Sequence, residues 1–156
     1  MTHITKDHGR NIEYMFYIHP ILQFIGILFT IFVFKLGISR FRMIHLKQKI
    51  RFNWKQHIRF GISATISWLI GIFSGLFIVK ISWYSFMITG LHAKIGLLMI
   101  PFIIFALVTG IYMDRNKKKR TVLPLLHAIF NTMMLFLALL QIYTGIGVFR
   151  TYVLGI

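Results

Sequence analysis

Seven histidines and three carboxylates are nearly all that this chain of 156 residues, without cysteine, offers for ligation or proton chemistry. Four of the histidines, His19, His57, His92 and His127, stand near the start of four long apolar stretches, one in each. Eighteen residues after each comes a glycine: Gly37, Gly75, Gly110 and Gly145. Eighteen residues make about five helical turns, so each glycine returns to its histidine's face about 27 Å further along the axis. One helix would thus present an imidazole at one level and bare backbone at another. The pattern suits two haems. An imidazole on each side of the iron leaves no open position for oxygen or substrate, and the chemistry implied is electron transfer. Without cysteine, c-type attachment, iron–sulfur clusters, thiolate zinc sites and disulfides are excluded within the chain. Isolated pairs of histidines also lack the third and fourth ligands that zinc takes.

The elements that must hold these histidines are read from composition. With 57% hydrophobic residues and a mean hydropathy of +0.75, the chain lacks the polar surface of a soluble domain, and an integral membrane protein is expected. The stretches 16–36, 54–79, 86–113 and 123–149 each reach the roughly 20 residues a spanning helix needs. They are continuous apolar runs without strict alternation, which excludes a β-barrel. The expected fold is all-α, an integral membrane four-helix up-down bundle over 16–149, with tails at 1–15 and 150–156. Asn53 with Gln56 predicts an N-cap for the second helix, Thr121 one for the fourth, and Pro20 and Pro124 suit early helical positions. The first stretch is followed by its positive charge and shows no small-residue cleavage pattern, so a removed signal peptide is not expected.

Short loops make successive helices antiparallel. His19 and His92 then share one depth and His57 and His127 another, about 20 Å apart along the membrane normal. The faces agree, since His57, Gly61, Ala64, Trp68, Gly71 and Gly75 follow four–three spacing, as do His92, Gly96, Met99, Ile103, Ala106 and Gly110. The same stripes would also serve as small-residue packing faces. Gln23 and Asn131, four residues after His19 and His127, and Gln141, four before Gly145, are candidates to bond a ligand's second nitrogen or a haem propionate, or equally to bond helix to helix. His3, His8 and His45 are not expected to ligate. Lys94 falls on the side of its helix away from His92, which suits snorkelling to the interface.

The net charge of +15 follows topology. Eight Lys or Arg lie in 35–59 and five more at Arg115, Lys117, Lys118, Lys119 and Arg120, against Lys6 and Arg10 before the first stretch. Both basic loops are therefore expected in the cytoplasm and both termini outside. No aromatic interleaving or recognition motif points to nucleic acid. Few buried carboxylates argue against a proton pump or cation antiporter.

One histidine on each of four consecutive helices, first paired with third and second with fourth, resembles the cytochrome b561 superfamily over essentially the whole chain. The resemblance is carried by His19 with Pro20, by His57 with Gly61, by His92 with Gly96, and by Leu125, Leu126 and His127 after a basic loop. It implies that the four histidines are axial ligands of two haems b, His19/His92 on the outer side and His57/His127 on the inner. The eukaryotic members have six helices, so their ascorbate chemistry is not carried over. What the resemblance implies is transmembrane electron transfer by a subunit of a larger system, with no catalytic residue of its own, in a bacterial or archaeal cytoplasmic membrane. Its expected partners are lipid, other redox subunits and membrane quinone. The competing expectation is a haem-free membrane anchor or small transporter whose histidines merely pack.

Overall fold

The computed structural model describes residues 3–156, with side chains from residue 14 onward. It is all-helical: α1 (His3–Ile44), α2 (Trp54–Trp83), α3 (Leu91–Arg115) and α4 (Val122–Phe149), with a terminal π-helical turn at Arg150–Leu154. All four helices are long and apolar enough to cross a membrane. Helix α1 pairs with α2 and α3 with α4 as two hairpins joined mainly through α2 and α3, with a smaller seam between α1 and α4.

Where the boundaries depart from the sequence reading, the local chemistry explains it. No proline stops α1 before residue 20, so the helix already runs through most of the expected tail at 1–15. Pro20 therefore sits in the helix interior and not in its first turn, and its missing N–H leaves the Phe16 carbonyl without its usual helical partner. Helix α3 begins at Leu91 and not at 86, because Tyr84 (φ 55°) closes α2 in the left-handed region and Gly90 (φ 57°) opens the next element. Hydropathy alone does not separate the apolar residues of that connection from helix. At the other end, 150–156 is not a plain tail, since the chain winds on as a π turn until Gly155 caps it at φ 70°. The Asn53 side chain accepts from the Gln56 amide at 3.2 Å, as expected. Thr121 occupies the N-cap of α4 without a side-chain bond.

The core lies midway along the bundle, where the expected stripes of α2 and α3 meet residues of α1 and α4. Ala64, Met99 and Met134 each fall seven residues after their helix's histidine, and Trp68, Ile103 and Ala138 seven before its glycine. All six are buried together with Ile27 and Ile72. Seven residues is two turns, so histidine, core and glycine share one inward face. Trp68, 1% exposed, is the largest of them. Its indole N–H donates to Thr30 Oγ1 at 2.9 Å, and the Thr30 hydroxyl donates to the Gly26 carbonyl at 2.7 Å. A Cβ on Gly26 would stand 3.3 Å from the indole, so the bare backbone of α1 is what admits the ring.

Candidate functional site: two facing imidazole pairs

The glycines meet histidines across each hairpin, reciprocally. A Cβ at Gly75 would lie 2.7 Å from His19 Nδ1 and one at Gly37 3.7 Å from His57 Cε1. In the second hairpin, a Cβ at Gly145 would lie 3.1 Å from His92 Cε1 and one at Gly110 3.5 Å from His127 Cε1. Each ring thus lies against the backbone of its antiparallel neighbour. Spacing within a helix predicted the shared face, and the hairpin geometry decides which ring each glycine receives.

Three of the four Nδ1 atoms are engaged. His19 Nδ1–H donates to the Gly71 carbonyl at 2.7 Å. His92 Nδ1 is 3.0 Å from Thr144 Oγ1, and His127 Nδ1 is 2.7 Å from Thr109 Oγ1. A hydroxyl has one proton. With the Thr109 proton on the Phe105 carbonyl at 2.6 Å, and the Thr144 proton on Gln141 Oε1 at 3.0 Å or the Leu140 carbonyl at 3.1 Å, the imidazole is the donor in both contacts. The Gly71 carbonyl assigns the Nδ1–H tautomer to His19, and the threonine bonds accommodate the same tautomer at His92 and His127, which leaves Nε2 with a lone pair. Neither threonine is singled out by the sequence reading. Their only signal is that each directly precedes its glycine, as Thr109-Gly110 and Thr144-Gly145.

The rings meet between hairpins as paired. His19 and His92 have ring centroids 5.9 Å apart with planes at 88°, and His57 and His127 have centroids 6.4 Å apart with planes at 64°. Each level therefore draws one histidine from each hairpin. At the first level, two Nε2 lone pairs belong to one pair of rings, and neutral imidazoles in that tautomer cannot donate to each other through Nε2. An electrophile held in common would satisfy both. Among the described residues no cluster of three or more His, Cys, Asp or Glu exists to cage a bare metal ion. An ion shared by either pair would have to bring most of its ligands with it.

The His19–His92 level has the room. A cavity of about 730 Å³ is lined by both rings, by Gly75 and Gly145, and by Gln23 and Gln141. Ile21 and Phe24 of α1 and Ile142 and Ile146 of α4 line it while remaining exposed, so it opens along the loosely packed α1/α4 seam. Gln141 Nε2 donates across to the His92 carbonyl at 3.1 Å. The Gln23 amide lies on Gly71, where a Cβ would come within 2.5 Å of it, and its Oε1 is buried without a partner. Arg150, absent from the sequence-based candidates, also lines this cavity.

The His57–His127 level is lined differently. The Phe52 ring packs edge-on against His57 at 5.4 Å, and the buried His57 Nδ1 neighbours the Val33 backbone without reaching normal hydrogen-bond geometry. Asn131 Nδ2 donates to the carbonyl of His127 in its own helix at 2.7 Å, so it bonds neither a ring nitrogen nor a neighbouring helix. His45 stacks on Phe41 and lies at neither level, and the side chains of His3 and His8 fall outside the described residues. Lys94 is exposed and does not line the cavity.

Fold and site together define a class: a helical bundle of membrane-spanning proportions that carries two facing imidazole pairs at separate levels. No family model, curated protein or solved structure matches the chain.

Proposed function

We propose that the chain is an integral membrane dihaem cytochrome b of the b561 type, with His19/His92 and His57/His127 as axial ligand pairs. The observation that carries the reading is the facing imidazoles whose other nitrogen is already committed. Metal-ligating histidines characteristically donate their second N–H to an oxygen acceptor, as His19 does to the Gly71 carbonyl and as the Thr144 and Thr109 hydroxyls allow for His92 and His127. Two imidazoles bound on opposite sides of one metal ion at roughly 2 Å each have ring centres roughly 6 Å apart, which fits both pairs. The glycines provide the bare walls against which a flat macrocycle and its ligating rings can lie.

When bound, a bis-imidazole haem supplies one-electron exchange with no open coordination position. The chain's own residues do the rest. The threonines and the Gly71 carbonyl orient the rings, the apolar walls exclude water, and the core around Trp68 separates the two levels. In this reading the positive charge of the two loops supports an orientation with the His57–His127 level toward the cytoplasm and both termini outside, in a bacterial or archaeal membrane. Electrons would pass between a donor on one face and an acceptor on the other, or to and from membrane quinone, through partner redox subunits.

The test is a pyridine haemochrome assay on detergent-purified, haem-supplied protein. Two haems b per chain are expected. Well-folded protein without haem would overturn the reading and favour a haem-free anchor or transporter, for which the ring packing of Phe52 on His57 is the supporting observation.

A further inference from the structure

Gln141 makes no hydrogen bond to either ring of the His19–His92 pair, yet the two ends of its amide reach His92 by different routes. Nε2 donates from α4 to the His92 carbonyl at 3.1 Å, and Oε1 lies 3.0 Å from the Thr144 hydroxyl, whose oxygen is in turn 3.0 Å from His92 Nδ1. Bare backbone admits the amide, since a Cβ at Gly96, one turn beyond His92, would lie 2.9 Å from Gln141 Nε2. A closed loop of hydrogen bonds thus runs from the backbone of His92 through Gln141 and Thr144 to the ring of the same residue.

Donation around this loop has one consistent direction. A backbone carbonyl only accepts, so the NH2 end of the amide must face His92 and its oxygen must face Thr144. With the single hydroxyl proton of Thr144 on Gln141 Oε1, the Thr144 oxygen accepts from His92 Nδ1. If Thr144 instead donated to the ring, two oxygens would meet lone pair to lone pair at 3.0 Å. The second ring-holding threonine shows what Gln141 adds. At Thr109 the bond back to the Phe105 carbonyl is short, 2.6 Å, and fixes the hydroxyl proton alone, whereas at Thr144 the bond back to Leu140 is 3.1 Å, long for a hydroxyl donor. On the dihaem reading, we propose that Gln141 is a positioning residue that locks His92 in the Nδ1–H tautomer through Thr144, so that Nε2 keeps the lone pair a metal needs. His19 requires no such residue, because the Gly71 carbonyl accepts from its ring directly.

The experiment uses the full haem-free chain, isotope-labelled at the histidine ring nitrogens, in phosphatidylcholine nanodiscs. Nuclear magnetic resonance distinguishes protonated from bare ring nitrogens, and His92→Ala identifies the His92 signals by their loss. Wild type should show Nδ1–H at His92. Gln141→Met, which keeps the length and removes both bonds, should give a mixture with Nε2–H, and Gln141→Glu, whose carboxyl oxygen still accepts from Thr144, should restore Nδ1–H. The His19 signals should stay the same throughout. With His57→Ala and His127→Ala added, so that only the first pair can ligate, Gln141→Met should weaken haem binding roughly tenfold, as loss of an outer hydrogen-bond partner does, and Gln141→Glu should weaken it less. Thermal unfolding of the haem-free proteins checks that the variants fold alike. Nε2–H at His92 in wild type, or an unchanged tautomer in Gln141→Met, would overturn the proposal, and a lowered melting temperature with that unchanged tautomer would make Gln141 only a fastener between α3 and α4. A tautomer change that leaves haem affinity untouched would also overturn its role in ligation. Absence of haem from the wild type, with the His92 tautomer still following residue 141, would reject the dihaem reading and leave the tautomer lock standing.

Discussion

The two histidine levels have the same inventory, a ring from each hairpin and a glycine opposite each ring, yet they differ in room. Around His19 and His92 there is a cavity of about 730 Å³ open along the α1/α4 seam, and the glycine backbones press closely on the rings. Around His57 and His127 the glycines stand further off, Phe52 covers one ring, and a buried Nδ1 falls short of normal hydrogen-bond geometry. A cavity adjoins the first pair of rings, whereas Phe52 lies against a ring of the second. Similar histidine spacing in the sequence therefore does not imply similar surroundings.

The sharpest way to break this comparison is to remove ligands. His19→Ala or His92→Ala should each lose one haem, halving the pyridine haemochrome yield, and His57→Ala or His127→Ala should lose the other. Loading kinetics of the haem-free protein should then separate the levels. His57→Ala, which keeps the open cavity, should take up its haem in the fast phase seen for wild type, and His19→Ala should show only the slow phase, read by stopped-flow absorbance. Equal rates would mean that the level beside Phe52 loads as readily as the one beside the cavity. Next in size are the ring-orienting hydroxyls. Thr144→Val should weaken haem binding at the first level and Thr109→Val at the second, each by roughly 10- to 100-fold, the usual cost of losing the partner of a ligating histidine. Titration in the single-level variants checks which level each threonine serves.

The smallest effects lie at the glycines, and they should differ in sign. A Cβ at Gly75 would meet a His19 ring that its bond to Gly71 prevents from sliding. Gly75→Ala should therefore cost about 1–3 kcal/mol, as overpacking does. At Gly37 the same methyl finds ordinary contact at 3.7 Å, and Gly37→Ala should instead gain about 0.5–1 kcal/mol from helix propensity. Thermal unfolding of the haem-free proteins measures both.

Much of this arrangement was legible in the sequence because helices have a fixed period. The eighteen-residue interval places His57 and Gly75 on one face, and the four–three stripes predict the buried Ala64, Trp68, Met99 and Ile103. Contacts between helices were less legible. Nothing in the spacing tells that Gly75 receives His19, or that Gln141 reaches across to His92 while Asn131 stays within its own helix. Thr109 and Thr144 look like any helical threonines, whose hydroxyls commonly bond a carbonyl one turn back. Only the position of the neighbouring ring shows their second contact. Arg150 falls in the expected tail at 150–156, and the π turn that brings it to the cavity has no composition signal.

Because each level takes one histidine from α1–α2 and its counterpart from α3–α4, neither hairpin can complete a site alone. The molecule is therefore organised like a dimer whose two protomers happen to share one covalent chain, with α1 corresponding to α3 and α2 to α4. Cutting the connection between Trp83 and Leu91 should leave two fragments that need each other to assemble both sites, and a tandem-fused ancestor with a single hairpin would already have held both levels as a symmetric pair.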